Sequence, residues 1–471
     1  MNESQPTVDI HARSPMAANV AETSWSPIFR DHFGNLRLVE VFQVVAIILF
    51  SLTAVLFMKV PFIWDDIYFS GINLQDHGGL PGYLLFMFQT WSSRIVIEAA
   101  LITIIHRLML WRILTGVALA ALAIVPVFLI SREQRHRIVL LPASALLVAS
   151  LPRSVLFETG YITTTLHYLW PMAAGLVAAI PGVRIIRSQR IRWPWVVVCA
   201  AFGIYAASSE LAAALLLVCY ATCIGIATLR QKRQIAQSSA HLLILIGFAC
   251  LFLAFAAIAL LAPGPSARAA AEVVNWFPTY PSLSRGRIVE IGFTSVFRTI
   301  FLQGYLLVLI FVVALAMSIH SRFGFDLRIL SALAPVLAVI LLGFSQPVFP
   351  DEPLRIVSAR RIWDAIDNYG LVKADWPFTW VTFSLFMVLF LCMIYCSWIA
   401  GPDLWHRALL LLVLGGGFAT KFVMAFSPTV WASGDRTNTY LLFSFGLASL
   451  LLLSYHLRSP GASRGADGVA D

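Results

Sequence analysis

Long runs of uninterrupted apolar residues constrain this 471-residue chain more than any other feature. Val41 to Met58, Leu211 to Leu229 and Leu302 to Ile319 each approach the ~20 residues that a helix needs to cross ~30 Å of hydrocarbon. A transmembrane β-barrel would instead show short segments alternating apolar with polar. Composition points the same way: 59% of residues are hydrophobic and 12% charged, against roughly 25% charged in a soluble domain. Such a chain cannot cover itself with a water-compatible surface. The expected fold is all-α, a polytopic helical bundle with about 12 spans.

The formal net charge of +9 does not signal nucleic-acid binding, because the basic residues are scattered through short connections. Arg132, Arg135 and Arg137 form one group, Arg184, Arg187, Arg190 and Arg192 another, and Arg230, Lys232 and Arg233 a third. Short basic loops are what retention on the cytoplasmic side leaves behind, and they suit contact with anionic lipid. All six cysteines lie within apolar runs, with Cys219/Cys223 and Cys392/Cys396 at helical i,i+4 spacing. They read as small packing residues, without a disulfide framework or a zinc motif.

Residues 1–38 are polar and lack an apolar h-region, so they read as a cytoplasmic tail with no cleavable signal peptide. Residues 39–457 form the membrane domain, and the Gly/Ser/Ala-rich residues 458–471 a disordered tail. The expected spans are 39–60, 113–130, 138–151, 166–183, 195–207, 211–229, 242–262, 301–319, 329–344, 378–399, 408–426 and 440–456. Pro61 is expected to stop the first. With the N-terminus inside, the long segments 61–112, 152–165, 263–298 and 346–377 all face outward. They carry most of the carboxylates, prolines and aromatics, including Trp64, Trp91, Trp276, Trp363 and Trp376. A carrier places its polar groups at midplane. Here they gather at one face, which suggests a reaction at the outer membrane–water boundary.

Phe62-Ile63-Trp64-Asp65-Asp66-Ile67-Tyr68 directly follows the first span. Adjacent carboxylates beside hydrocarbon are costly, and neighbouring negative charges push at least one pKa upward, which suits a general base. A solvated loop start or a helix N-cap would use the same residues. Arg94 and Glu98 stand at i,i+4 in an amphipathic stretch, 83–110, expected to lie along the membrane surface. They suit a surface ion pair worth ~0.5 kcal/mol, or Arg94 orients the Asp65/Asp66 loop or meets a phosphate. Glu158 and His167 sit at the mouth of a span, where both could bind sugar hydroxyls. Tyr168 and Trp170 beside them also fit an aromatic belt. Glu210, between two short spans, needs a partner or water. Arg268, after Pro263-Gly264-Pro265, and Arg436, in Gly434-Asp435-Arg436, suit clamping a lipid-linked phosphate or snorkelling to ordinary headgroups. The chain contains no Gly-rich nucleotide loop, metal-ligand motif or G-x-S-x-G.

An acidic pair after the first span, polar outward loops and about a dozen spans together resemble the GT-C class of membrane glycosyltransferases. More narrowly, the order of five elements resembles a bacterial family related to the O-antigen glucosyltransferases. These are Trp64-Asp65-Asp66 with Tyr68, Trp91-Ser92-Ser93-Arg94, Thr159-Gly160 with Tyr168-Leu169-Trp170-Pro171, Ser209-Glu210, and Pro263-Gly264 with Arg268. The resemblance implies a transferase in a bacterial inner membrane, with its active face periplasmic. It would take a sugar from a polyprenyl-phosphate donor and pass it to a cell-envelope glycan or lipid acceptor with inversion. Asp65 or Asp66 would be the base, and Arg268, Arg436 or Arg94 would stabilise the departing phosphate. Relatives of this class work with or without a metal, and two aspartates permit a divalent ion.

Two other classes use many spans. A flippase or transporter of lipid-linked saccharide predicts charges deep in the spans, for which Glu210 and Lys421 are the candidates. A polysaccharide polymerase or ligase predicts an active loop late in the chain, where residues 351–373 are basic. The placement of Asp65 and Asp66 is expected only for the first reading.

Overall fold

The computed structural model describes residues 36–232, 239–344, 371 and 379–458. The expectations for the N-terminal tail before residue 36, for Trp363, Trp376 and nearly all of the 346–377 loop, and for the tail after Arg458 lie outside these residues. Among the described residues every regular element is helical. Ten helices are long and apolar enough to cross a membrane, so the chain is a multi-pass membrane protein. Apolar sequence in lipid leaves the backbone no partner but itself, and the helix satisfies each N–H and C=O locally.

We number the helices in chain order. The spanning helices are α1 (Leu36–Leu56), α5 (Leu108–Ile130), α8 (Tyr161–Ile186), α10 (Glu210–Lys232) and α11 (Ser239–Leu261), followed by α14 (Leu306–Phe323), α15 (Leu327–Phe344), α16 (Thr379–Ala400), α17 (Leu404–Phe426) and α18 (Thr439–Arg458). Short helices between them are α2 (Asp65–Ser70), α3 (Leu80–Thr90), α4 (Ile95–Ile104), α7 (Arg153–Phe157), α12 (Pro263–Trp276) and α13 (Arg285–Phe297). The third and fifth expected spans correspond to α6 (Gln134–Ala149) and α9 (Trp193–Ala207), of 16 and 15 residues. At 1.5 Å per residue these reach only ~22–24 Å, short of the hydrocarbon thickness.

Helix α18 is the centre of the bundle. In its apolar window 72% of residues are buried, against 17% in α1 and α11, which face outward. It packs against α14, α17 and α6, while α8 packs against α5, α9 and α10.

Boundaries differ from the sequence reading where special backbone intervenes. The first helix stops at Leu56, before Pro61, and the chain turns through 57–64 without regular structure. The eighth span starts at Leu306 rather than Phe301, because 298–302 is a π-turn closing α13 and Gly304, at φ 63°, breaks the chain. The 83–110 stretch is not one surface helix. It divides into α3, α4 and the start of α5, which build a small core of their own around Tyr83, Met87, Ile97, Leu101 and Trp111. Phe69 of α2 and Ile162 of α8 join that core, so it seats the acidic pair against the N-terminus of α8.

Candidate functional site

Two polar clusters lie at the end of the bundle opposite the arginine-rich loops. The first begins at Trp64, whose φ of 39° is a left-handed conformation that a bulky residue rarely adopts. The turn is fixed on its far side, where Asp65 N–H donates to the Thr159 carbonyl at 2.8 Å. It sends the two neighbouring carboxylates in different directions.

Asp66 is fully buried. Its Oδ1 accepts from Thr163 N–H at 2.9 Å and from Thr163 Oγ1 at 2.8 Å, and its Oδ2 accepts from Ile162 N–H at 3.2 Å. It therefore closes the N-terminus of α8 from another segment, where orphan N–H groups and the helix dipole both favour an anion. Burial raises its pKa from the ordinary value of 3.8, against the lowering effect of the Thr163 and Ile162 bonds. A side chain at residue 160 would occupy the carboxylate's place: a Cβ there would lie 2.5 Å from Asp66 Oδ1, which explains Gly160.

Asp65 is the accessible member of the pair, with 40% of its side chain exposed. Arg436 Nη1 donates to Asp65 Oδ2 at 2.8 Å and also to Thr159 Oγ1. The Arg436 backbone N–H donates to Glu158 Oε2 at 2.8 Å. Burial raises the Glu158 pKa, opposed by that N–H. Gly434 has φ 61°, and a Cβ on it would lie 2.1 Å from the Glu158 carboxylate, so both conformation and space demand glycine. Asp65, Glu158, Thr159 and Arg436 thus form one site from segments 371 residues apart. On its edge stand the exposed apolar side chains of Phe62, Trp64, Ile67 and Tyr68.

Behind Arg436 a polar network runs into the bundle. Gln303 Nε2 donates to Asp435 Oδ1 at 2.8 Å, Thr299 Oγ1 donates to Asn438 Oδ1 at 3.0 Å, and Lys421 Nζ donates to Thr437 Oγ1 at 2.7 Å. Gln303 and Asn438 carry only faint sequence signals: a glutamine interrupts an apolar run before Gly304, and an asparagine stands just ahead of the last span.

The second cluster corrects the expected i,i+4 pair. Arg94 does not meet Glu98 in an ion pair. Its Nε donates to Glu210 Oε2 at 2.8 Å, and Ser93 Oγ donates to Glu210 Oε1 at 2.6 Å. Burial works against the Arg94 charge, but the Glu210 carboxylate outweighs it and keeps the guanidinium protonated. Arg94 therefore neither orients the acidic pair nor stands free for a phosphate. Glu98 is buried and its Oε1 lies 3.3 Å from His167 Nε2. His167 Nδ1 lies 2.8 Å from the Thr163 carbonyl, which can only accept. Nδ1 is then the nitrogen that donates, and Nε2 faces the Glu98 carboxylate. His167 is thus tied up inside the protein rather than presented to a sugar. Trp170 is likewise internal, donating from Nε1 to Thr115 Oγ1 at 3.1 Å.

Arg268 lies apart from Arg436. Its guanidinium stacks over Trp91 at 4.7 Å and its Nε reaches Glu272 at 3.4 Å. It still borders the second cluster, because the start of α12 packs against residues 88–92. The two aspartates and three arginines therefore do not share one site: Asp65 and Arg436 meet, Asp66 stands behind them, and Arg94 and Arg268 flank Ser92-Ser93.

A divalent ion shared by Asp65 and Asp66 does not fit this geometry. Both Asp66 oxygens face helix donors, and Asp65 Oδ2 faces a guanidinium. Among the described residues no group of three or more His, Cys, Asp and Glu gathers elsewhere. Comparison with protein-family models, with curated proteins and with solved structures found no match.

Proposed function

We propose that the chain is a GT-C-like glycosyltransferase, moving a sugar from a polyprenyl-phosphate donor to a cell-envelope glycan or lipid acceptor. The observation that carries this reading is the accessible Asp65 carboxylate, gripped by Arg436 and edged by exposed Phe62, Trp64, Ile67 and Tyr68. A lipid-borne donor needs an apolar approach, a cation for its phosphate and a base for the incoming hydroxyl. These three lie side by side here.

In this mechanism the acceptor hydroxyl attacks the anomeric carbon and its proton passes to Asp65. The bond from that carbon to the phosphate oxygen breaks, and polyprenyl phosphate leaves with the negative charge. Arg436 bonds Asp65 and Thr159 through Nη1 alone, and the rest of its guanidinium is the group that would reach past the sugar to receive that charge. Asp66 takes no part in the chemistry but holds the turn that presents Asp65. The attack from the face opposite the leaving group inverts the sugar. The arginine-rich loops at the other end support a periplasmic site by their charge.

A transporter reading needs charges in mid-span. Glu210 opens α10 and Lys421 closes α17, both at the end that carries the site. The test is sugar transfer by the full-length protein in proteoliposomes supplied with polyprenyl-phosphate hexoses and envelope acceptors. Asp65→Asn should abolish transfer while the folded protein is recovered. Full activity in Asp65→Asn would sink the assignment of the base.

A further inference from the structure

The arginine-rich end holds a cavity of about 520 Å³ between α5, α8 and α9. Arg132, Arg137, Arg184 and Arg187 line it together with apolar side chains, among them Phe128, Ile180 and Trp195. Of the four arginines only Arg137 has a carboxylate partner among the described residues. It grips Glu40 with Nε at 2.7 Å and Nη2 at 3.2 Å, and it sits 4.9 Å over the Phe128 ring.

The other three have no carboxylate partner among the described residues. Arg132 donates to the Arg187 carbonyl at 2.7 Å, and Arg187 to the carbonyls of Phe128 and Ile130, each at 3.2 Å, and of Leu129. Those carbonyls satisfy donors without cancelling charge. Arg184 is exposed and has no partner among the described residues. The nearby Glu133 is held by Arg135, with Nε at 2.9 Å. Burial, followed by the charges of Arg132 and Arg458, pulls the Arg187 guanidinium down to about 10. Three like charges around one concavity at the hydrocarbon boundary call for an anion.

The apolar lining decides which anion. Phe128 and Trp195 are 41% and 57% exposed, on the apolar outer surface of the bundle. A small soluble anion has no use for them, whereas an amphiphile fills both halves of the cavity. We propose that this cavity binds the phosphate headgroup of an anionic membrane phospholipid, with an acyl chain lying against Phe128 and Trp195. The proposal is independent of the catalytic reading, since the cavity lies at the opposite end of the bundle.

The test uses the full-length protein, delipidated in mild detergent and titrated with phosphatidylglycerol or phosphatidylcholine. Bound lipid is counted by native mass spectrometry, and Tm is followed in parallel. Phosphatidylglycerol should be retained and raise Tm, while phosphatidylcholine should do neither. Each surface-facing arginine contributes about five-fold in affinity, so Arg184→Gln should weaken phosphatidylglycerol about five-fold. Adding Arg132→Gln should weaken it about 25-fold. Arg132 also braces a backbone carbonyl. Should the double variant fail to fold, Arg184→Gln and Ile180→Trp decide, the latter filling the cavity while keeping every arginine. Equal retention of the two lipids would overturn the proposal. So would unchanged binding in both Arg184→Gln and Ile180→Trp, or an equal Tm rise with inorganic phosphate alone.

Discussion

The two ends of the bundle use arginine differently. At the arginine-rich end Arg135 and Arg137 meet carboxylates, but most other guanidiniums bond to the carbonyls that close helices. Arg187 and Arg458 reach the last residues of α5, Arg230 the Ile186 carbonyl of α8, and Arg322 the Ile399 carbonyl of α16 at 2.7 Å. At the site end guanidiniums meet carboxylates: Arg436 with Asp65, Arg94 with Glu210, Arg287 with Glu290. Helix α8 feels both regimes, with the Asp66 anion at its N-terminus and cations at its C-terminus, each the favourable sign for its dipole. A carbonyl is available on every residue, so the first kind of contact tolerates changes of sequence. A carboxylate must be supplied by one particular residue. The site end is therefore the specific end, and substitutions there should cost more.

The widest contrast is in activity. Removing the Asp65 carboxylate as Asp65→Asn should lower sugar transfer by about 10²–10⁴-fold, the usual contribution of a general base, with Tm nearly unchanged. Arg187→Gln at the other end should leave transfer within a small factor of wild type, as read from initial rates in proteoliposomes. Comparable losses from both would remove the distinction between the ends.

Stability should separate the two aspartates next. Asp66→Ala leaves the N–H groups of Ile162 and Thr163 buried without an acceptor, at about 1–3 kcal/mol each, so Tm and the yield of folded protein should fall sharply. Asp65→Ala, at an accessible position, should cost at most about 1 kcal/mol. Similar melting of the two variants would contradict the assignment of Asp66 as the structural member. Between the two comes Glu210→Ala, which strands the half-buried Arg94. A loss of about 2 kcal/mol lies between the ranges for exposed and buried pairs, and Glu210→Gln should recover part of it through Ser93.

The sequence made the bundle legible because apolar length is a local property. All twelve expected spans correspond to helices, ten of them long enough to cross. What escaped was non-local. Glu98 stood at the right spacing for Arg94, yet Arg94 found Glu210 across the bundle, because the chain breaks at 91–94 and turns Arg94 out of the helical register. Asp65 and Asp66 were indistinguishable as neighbours in a string. They part company through the left-handed turn at Trp64 and the N-terminus of α8, neither of which periodicity reveals. Tyr168 kept its place near Arg94, while Trp170, two residues further on, faces the interior through its bond to Thr115.

The finest difference between the ends is the sign of their response to acid. Burial lifts Asp66 above its ordinary value of 3.8, so the folded protein holds a proton that the unfolded chain would release. Its contribution to stability is fully present below that ordinary value and is lost as pH rises through the raised one. Glu158 shifts the same way, from 4.5. Glu133 at the arginine-rich end shifts down from 4.5, chiefly through its bond to Arg135. Its contribution is present above the ordinary value and is lost as pH falls through the lowered one. Melting curves taken from below the ordinary carboxylate values up to neutral pH test these signs. Asp66→Asn removes a contribution that declines with pH, so its Tm should climb more, or fall less, than wild type across the range. Glu133→Gln removes one that grows, so its slope should change the opposite way, and by less, because Glu133 is half exposed. Absolute Tm does not bear on this, since an asparagine at 66 sets an amide against the Ile162 N–H at every pH. Slopes that move in the same direction would mean that burial does not govern Asp66, and the carboxylate behind the site would then be wetter than its neighbours imply.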